Sequence, residues 1–323
     1  MTLSWTPRLI CVLTVVVGLV LASSQFLLAL FARRILRLLD PLTARWRERI
    51  LYLVQIGPAL IAVFAAAALC LPAYLHGETN LEAENVSVWC LLLAVVVVAW
   101  FAFSFLRALP IAIRTLRVAR ASRRAGNLLH HSGNIPVLSL PDPGPPVRLI
   151  GFSRPLILVS SNALFAPDML ELALAHERSH AAHCDNWKLL SLSFLPRLLP
   201  GLDRLLPDGN PWTSLWQRAA DWAADDDAVH GDSSRSLLLA EALVLAARSA
   251  NATRAPRIVS SALTASDAGL ATRIDRLIHP RPGMHPSAFS GIALIVAILG
   301  FAATAAYALP PWIYEFSERL LHL

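Results

Sequence analysis

The sequence predicts a mainly α-helical membrane protein, with four transmembrane helices and an α+β domain inserted between helices three and four. Three observations indicate this fold class. The 323 residues are 56% hydrophobic and only 15% charged, whereas soluble domains average about 45–50% and about 25%. The apolar excess is concentrated in long uncharged runs. Between the last two runs, short β-rich segments precede helical ones. This composition excludes a purely soluble enzyme and a disordered chain.

Four apolar runs of about 20 residues are long enough to cross a bilayer as helices. They are Leu9–Phe31, Leu51–Leu75, Val86–Leu106 and Ala288–Leu309. The first run is too long for the apolar core of a signal peptide, and no small-residue cleavage site ends it, so we expect a retained anchor. The predicted domains are a three-helix transmembrane region at 1–106, an inserted domain at 107–287, a fourth helix at 288–309 and a short extracytoplasmic tail at 310–323.

The arginines predict the orientation, because short cytoplasmic loops carry an excess of basic residues. Six arginines lie between the first two runs and six follow the third, whereas the loop between runs two and three has three glutamates and no lysine or arginine. We therefore expect a multi-pass protein of the inner cell membrane, with both termini extracytoplasmic and the inserted domain cytoplasmic. Because topology accounts for much of the net charge of +6, no direct binding of nucleic acid is expected.

The inserted domain is predicted to begin with a helix that continues the third transmembrane run through Arg114–Arg124. The proline and glycine content of Ser132–Pro146 predicts a loop, and the β-rich runs Val147–Phe152 and Leu156–Ser160 predict a hairpin. Pro167 and the acidic residue after it are typical of the first turn of a helix. Further helices are predicted at Trp187–Leu206, Trp212–Val229 and Ser236–Ser249.

The helix that starts at Pro167 carries the motif H-E-x-x-H, formed by His176, Glu177 and His180. Residues four apart lie on one helix face, so both imidazoles can bind one metal ion, with Glu177 beside them as a general base. This spacing is typical of zinc peptidases, in which the ion assists hydrolysis of a peptide bond. The motif therefore predicts a zinc cofactor and a metallopeptidase activity.

A catalytic zinc ion needs a third protein ligand, and several residues qualify. Asp221 is the preferred candidate, because Asp225 lies one turn later and could accept the free N–H of a ligating histidine. His183 shares a helix face with the motif, but an unbroken helix carries it beyond the ion. Another member of the Asp225–Asp227 cluster is the remaining alternative, although Asp226 and Asp227 are more typical of a solvated acidic helix end.

At these motifs the chain resembles the integral-membrane zinc metallopeptidases typified by the β-lactam sensor-transducers and methicillin-resistance antirepressors, the BlaR/MecR type. The resemblance covers the four-helix layout with the peptidase between helices three and four. Four segments carry it: Gly151–Ile157, similar to G-x-x-x-P-x-I; His176–Asp185, which matches H-E-x-x-H-x-x-x-x-D; Asp221–Asp225, similar to E-x-x-C/A-D; and Arg273–Leu277, similar to R-I-x-x-L.

This resemblance implies a zincin-like (gluzincin) α+β fold for the inserted domain and a role for each matching residue. His176 and His180 are expected to ligate zinc, and Glu177 to be the catalytic base. Asp221 stands where the family has a glutamate ligand. Because aspartate is one methylene shorter, its helix must approach the histidines more closely.

Two further aspartates match the family pattern and are expected to support the ligands. Asp225 stands where the family has an aspartate behind the zinc ligands, and Asp185 is expected to support the site. Residues 310–323 are too short for the penicillin-binding sensor domain of the type members. β-Lactam sensing by that route is therefore not expected.

The resemblance implies a membrane-embedded zinc metalloendopeptidase that acts in signal transduction, cleaving a cytoplasmic winged-helix transcriptional repressor. Two alternatives stay open: a zinc peptidase of membrane-protein quality control, and a non-catalytic membrane transducer or scaffold, since the third ligand is altered. We expect the peptide substrate to add as a strand to the edge of the Val147–Ser160 hairpin. His230, His279 and Arg273 could each stabilise an oxyanion, and their spacing selects none of them. The oligomeric state is left open.

Overall fold

The structure is a computed structural model that describes residues 2–77, 84–141, 146–160, 166–197, 211–250, 260–262, 267–280, 283–284, 315 and 319. These residues are mainly helical, with one sheet of two strands and one of five. The two-stranded sheet pairs β1, Thr2–Leu3, with β2, Glu84–Asn85. The fourth transmembrane helix predicted at Ala288–Leu309 lies outside the described residues.

The first half of the chain contains three helices long and apolar enough to cross a membrane. In chain order the elements are α1 (Trp5–Leu30), α2 (Ala32–Leu39), α3 (Ala44–Phe64), a π-helical stretch (Ala65–Cys70), α4 (Leu71–Gly77) and α5 (Val88–Ala125). The candidate spans are α1, the continuous helix from α3 into α4, and α5. They coincide with the first three predicted runs, and α5 includes the basic extension predicted for the third.

Much of the surface of α5 is apolar and exposed, as a lipid-facing helix requires. Trp89, Phe103 and Leu106 are each exposed by about two-thirds, 65–66%. A soluble protein rarely leaves an apolar surface of this extent in contact with water. The three candidate spans therefore indicate that this part of the chain is associated with a membrane.

A five-stranded sheet follows α5 and is arranged in the order β3-β4-β6-β5-β7. Its strands are β3 (Asn127–Ser132), β4 (Ile135–Leu140), β5 (Val147–Ile150), β6 (Leu156–Ser160) and β7 (Ser260–Ala262). β4 and β6 are parallel, and the other neighbours are antiparallel. The predicted hairpin is confirmed, because β5 and β6 pair with Val147 opposite Val159 and Ile150 opposite Leu156.

The prediction of a loop within this part of the chain is wrong. The loop predicted at Ser132–Pro146 contains β4, because its glycine only makes the turn into that strand: Gly133 has a φ of 64°, a left-handed conformation that glycine adopts without strain. The hairpin also has no free edge among the described residues. β4 pairs with one of its strands, and β7 pairs with the other through Arg148, Leu149 and Ile150.

Five helices complete the described part of the domain that follows α5. They are α6 (Pro167–Ala182), α7 (Asp185–Phe194), α8 (Trp212–Val229), α9 (Ser233–Ala250) and α10 (Asp267–Ile278). α6 begins at the predicted proline and α8 has the predicted bounds, whereas α9 begins slightly earlier than predicted. The helix predicted at Trp187–Leu206 is wrong in length, since α7 ends at Phe194. The next residue, Leu195, is extended, as expected before the proline at position 196.

Helices pack on both faces of the sheet, and two of the candidate spans, α5 and α3, contact the domain. On one face, α6 contributes Leu172 and Ala173 to a core with the strands and α9. On the other face, the end of α5 packs Ala119 against Leu138 and Leu158. α3 packs against α8, so the membrane helices and the domain share buried side chains.

Two of the candidate spans, α1 and α5, approach each other closely at Gly18 of α1. A Cβ atom added there would lie 2.2 Å from Cγ2 of Val97 in α5, and a β-branched side chain in a helix has little freedom to move aside. We predict that Gly18→Ala lowers the free energy of unfolding by about 1–3 kcal/mol. The measurement is equilibrium unfolding of the full chain in detergent micelles.

Gly57→Ala is the matched control, since Gly57 lies in α3 with nothing within 4 Å of its added Cβ. Alanine there removes the glycine cost in a helix, about 1 kcal/mol at most, and should not destabilise the protein. Equal unfolding free energies for Gly18→Ala and the wild type would show that α1 and α5 are not in close contact.

Candidate metal centre

The H-E-x-x-H motif lies in the second half of α6, which is enclosed on several sides. α6 contacts β5, α7, α8 and α9. As a result His176 and Glu177 are completely buried and His180 almost completely so. Imidazoles and a carboxylate in such a position need specific partners, because unpaired polar groups are costly to bury.

Asp221 of α8 completes a group of three side chains that can hold one metal ion. One ligand atom each from His176, His180 and Asp221 lies within 4.8 Å of the other two. The Nε2 atoms of the two histidines are 3.1 Å apart, and Nε2 of His180 is 3.5 Å from Oδ1 of Asp221. Asp221, the preferred candidate for the third ligand, is therefore the aspartate that α8 places in this group.

Small side chains on α8 allow the shorter aspartate to reach the histidines. Ala219, Ala220, Ala223 and Ala224 are all buried, and a helix surface of methyl groups lets neighbouring helices approach closely. The alanines around Asp221 thus leave room for α8 to pack closely against α6.

The donor set and its dimensions fit a zinc ion. Two imidazole nitrogens and a carboxylate oxygen are ligands typical of catalytic zinc. Two nitrogens bound to one tetrahedral zinc at about 2.0–2.1 Å lie about 3.3 Å apart, close to the observed 3.1 Å between the Nε2 atoms. Two neutral imidazoles whose Nε2 lone pairs face one another repel, so the arrangement requires a cation or a proton between them.

Asp225 and Arg273 hold the first histidine from behind. Nδ1 of His176 lies 2.9 Å from Oδ1 of Asp225. Arg273 of α10 donates to both oxygens of the same carboxylate, at 2.8 Å from Nε and 2.7 Å from Nη2. Although burial opposes its charge, the guanidinium and the imidazole hold the pKa of Asp225 well below its usual range. This carboxylate is therefore ionised and can orient His176 with Nε2 toward the metal position.

Asp185, the first residue of α7, holds the second histidine in the same way. Its Oδ2 lies 2.8 Å from Nδ1 of His180, and its Oδ1 accepts a hydrogen bond of 3.0 Å from Nζ of Lys188. Despite burial, which favours the neutral imidazole, contacts with Asp185 and Asp221 raise the pKa of His180 to about 10. The acidic surroundings that favour a proton on this imidazole also favour a metal cation.

Glu177 faces the sheet beside the ligand cluster. Its Oε2 accepts a hydrogen bond of 3.0 Å from the backbone N–H of Leu149 in β5. Asn186 of α7 donates to the carbonyl of Gly151 just after β5, at 2.8 Å. These bonds fix α6 and α7 against the strand, with the glutamate between the strand and the histidines.

The other candidates for the third ligand lie elsewhere. His183 follows the last residue of α6, and its Nδ1 lies 2.8 Å from the carbonyl of Ser179, so the helix ends before His183 can face the cluster. Asp226 binds Arg276, and Asp227 accepts a hydrogen bond from Ser179. The last two aspartates are partly exposed, as expected of a helix end, but each has a charged partner.

Arg273 is the only one of the three candidate oxyanion-stabilising residues that the structure brings to this site. It is 1% exposed, and its Nη2 lies 3.5 Å from Nε2 of His176. His230 is exposed at the end of α8, and His279 is 72% exposed beside Asp275. Sequence reasoning did not assign a role to Lys188, although its position three residues after Asp185 in a helix was a usable indication.

No protein-family model matches this chain, and none of the characterised proteins compared with it is significantly similar in sequence. The assignment of a function therefore depends on the motif and on the geometry of the cluster.

The cluster predicts which aspartate of α8 contributes to metal binding. We expect Asp221→Ala to weaken zinc binding by at least about tenfold, because it removes a charged ligand. Asp226→Asn is the matched control on the same helix, and its zinc affinity should remain within about twofold of the wild type, because Asp226 faces Arg276. Zinc affinity would be measured by competition with a chromophoric chelator. Equal affinities of Asp221→Ala and the wild type would exclude Asp221 as a ligand.

Proposed function

We propose that the protein is a membrane-bound zinc metallopeptidase with His176, His180 and Asp221 as zinc ligands and Glu177 as the catalytic base. The observation that carries this proposal is the cluster of two buried histidines and one partly buried aspartate, with a buried glutamate on the helix of the histidines. Each histidine also has an aspartate at its other ring nitrogen. Such outer partners are typical of metal-ligating histidines, whose orientation and tautomer they determine.

Hydrolysis of a peptide bond needs a general base and a later proton donor, and Glu177 can serve as both. When bound, zinc supplies a Lewis acid that polarises the scissile carbonyl and makes water more acidic. Glu177 accepts the proton of the attacking water and then donates it to the leaving amine. A carbon–oxygen bond forms, the carbon–nitrogen bond breaks, and the products are a carboxylate and an amine.

The neighbouring side chains keep the ligands in position during this reaction. Asp185 is placed to accept the Nδ1–H of His180, and the carboxylate of Asp225 lies 2.9 Å from Nδ1 of His176, so both Nε2 atoms are left for the ion. Arg273 pairs with Asp225 and places positive charge next to His176, which would favour negative charge on a substrate oxygen bound there. The packing of α6 against β5 supports a zincin-like (gluzincin) arrangement for this domain.

The resemblance to the BlaR/MecR type supports a role in signal transduction, with a cytoplasmic winged-helix repressor as substrate. In this proposal the protein is a multi-pass inner-membrane protein whose termini are extracytoplasmic and whose peptidase domain, at 107–287, is cytoplasmic. The bias of arginines toward one side of the predicted spans supports that orientation. An extended substrate could pair with β5 only by taking the place of Ser260–Ala262.

Replacing the base should separate catalysis from metal binding. We predict that Glu177→Gln keeps its zinc but cleaves peptide bonds about 10²–10⁴-fold more slowly, the usual contribution of a general base. The assay uses the full chain in liposomes with a repressor encoded by a neighbouring gene, and it follows product fragments by mass spectrometry. Zinc content is measured on the same samples, with Asp226→Asn as the active control.

Two outcomes would contradict the proposal in different ways. A zinc-free wild type, purified without chelators, would contradict the metal assignment. If the wild type and Glu177→Gln both held about one zinc ion and neither cleaved the repressor or an unfolded protein, the chain would be a non-catalytic membrane transducer instead.

A further inference from the structure

The candidate span that begins with α3 carries a buried carboxylate that faces the peptidase domain. Glu48, near the start of α3, is completely buried. Its Oε1 accepts a hydrogen bond of 2.8 Å from Nζ of Lys188 in α7 and one of 2.9 Å from Nε1 of Trp216 in α8. The carboxylate therefore links the membrane helix to two helices of the domain.

Lys188 continues this link to the metal centre. Its ammonium group also donates to Oδ1 of Asp185 at 3.0 Å, and Oδ2 of Asp185 lies 2.8 Å from Nδ1 of His180. An unbroken chain of three direct polar contacts thus joins Glu48 to His180, a ligand of the proposed zinc site. We call Glu48, Lys188 and Asp185 the relay.

The chemistry of Lys188 suits its position between two carboxylates. It is the only lysine in a chain whose other basic residues are all arginine, and an ammonium group is a compact charge with three donors. Burial works against its charge, but Asp185 and Glu48 outweigh this and raise its pKa. Lys188 is thus a cation that holds both carboxylates at fixed distances.

A second contact from α3 reaches the residue next to the same histidine in the chain. Arg45 lies one turn before Glu48, and its Nη2 donates to Oγ of Ser179 at 3.0 Å and to Oδ2 of Asp227 at 2.5 Å. Ser179 directly precedes His180 in α6. The start of α3 therefore contacts the surroundings of His180 both through the relay and through Arg45.

We propose that Glu48 and Lys188 are positioning residues for His180, so that the start of the second candidate span determines the geometry of the metal centre. This inference rests on the proposed zinc site. Asp185 must be held in place to accept the Nδ1–H of His180 and direct its Nε2 toward the other ligands. A movement of α3 that withdraws Glu48 releases Lys188 and, through Asp185, the imidazole. A change in the membrane region is thereby communicated to the zinc ligand.

The test uses the full chain in detergent micelles and makes two measurements. The first is the affinity for zinc. The second is the absorption spectrum of the cobalt(II)-substituted protein, which reports the geometry of the ligands. The variants are Glu48→Gln, Lys188→Met and the double variant. Tyr52→Phe is the matched control, because the Tyr52 hydroxyl also joins α3 to α7, by a 3.1 Å hydrogen bond with Ser191, but lies outside the relay. Thermal unfolding and size-exclusion profiles verify that each variant is folded.

We expect Lys188→Met to weaken zinc binding by about tenfold or more, the usual effect of losing support behind a metal ligand. Glu48→Gln should weaken it by about three- to tenfold, since the relay remains but loses its terminal charge. The double variant should bind no more weakly than Lys188→Met, because both residues act through the same imidazole. All three should shift the cobalt spectrum, whereas Tyr52→Phe should match the wild type in affinity and spectrum.

Several results would overturn the inference. Wild-type affinity and spectrum in folded Glu48→Gln would show that α3 does not act on His180, and this comparison with Tyr52→Phe decides the question even if Lys188→Met fails to fold. Affinity losses that simply add in the double variant would show that the two residues act independently. A wild type without zinc would instead contradict the proposed function, so the two failures are distinguishable.

Discussion

The carboxylates of Glu177, Asp185 and Asp225 are buried inside the domain, and removing such a charge from water costs several kcal/mol unless it is paired. Each has a partner supplied by a different element. A strand N–H binds Glu177, His180 of α6 binds Asp185, and an arginine of α10 binds Asp225. Since all these bonds require their elements at hydrogen-bonding distance, they determine how α7, α8, α10 and β5 are arranged around α6.

The same requirement connects the membrane region to the domain. Glu48 of α3 is buried where the candidate span meets α7 and α8. Its Oε1 accepts hydrogen bonds from an ammonium and an indole N–H, and its Oε2 lies 4.0 Å from Nη1 of Arg45. An apolar side chain of similar volume would stabilise such an interface at least as well. The charge at this position thus contributes a fixed orientation between α3 and the helices of the metal centre.

Several elements of the fold were predictable because their determinants are close together in the chain. α6 begins at a proline, which is favoured in the first turn of a helix, and the β5–β6 hairpin consists of two β-rich runs around a short turn. The strand β4 was missed because the glycines and prolines of its segment indicate a turn, whereas the strand is stabilised by pairing with residues of β6 that lie 20 positions later in the sequence. Pairing between distant segments is invisible to local patterns.

The metal centre shows the same division between local and distant determinants. Helical spacing alone places His176, Glu177 and His180 together, since residues four apart share a face. Which carboxylate joins them depends on how α8 packs on α6, and that packing brings Asp221, rather than Asp226 or Asp227, to the imidazoles. Two other residues reach the site from distant parts of the sequence. Arg273 comes 97 residues after His176, which it contacts, and Glu48 comes 140 residues before Lys188, which it binds. Contacts over such separations arise only when buried charges find partners in the packed structure, so they could be identified only from the tertiary fold.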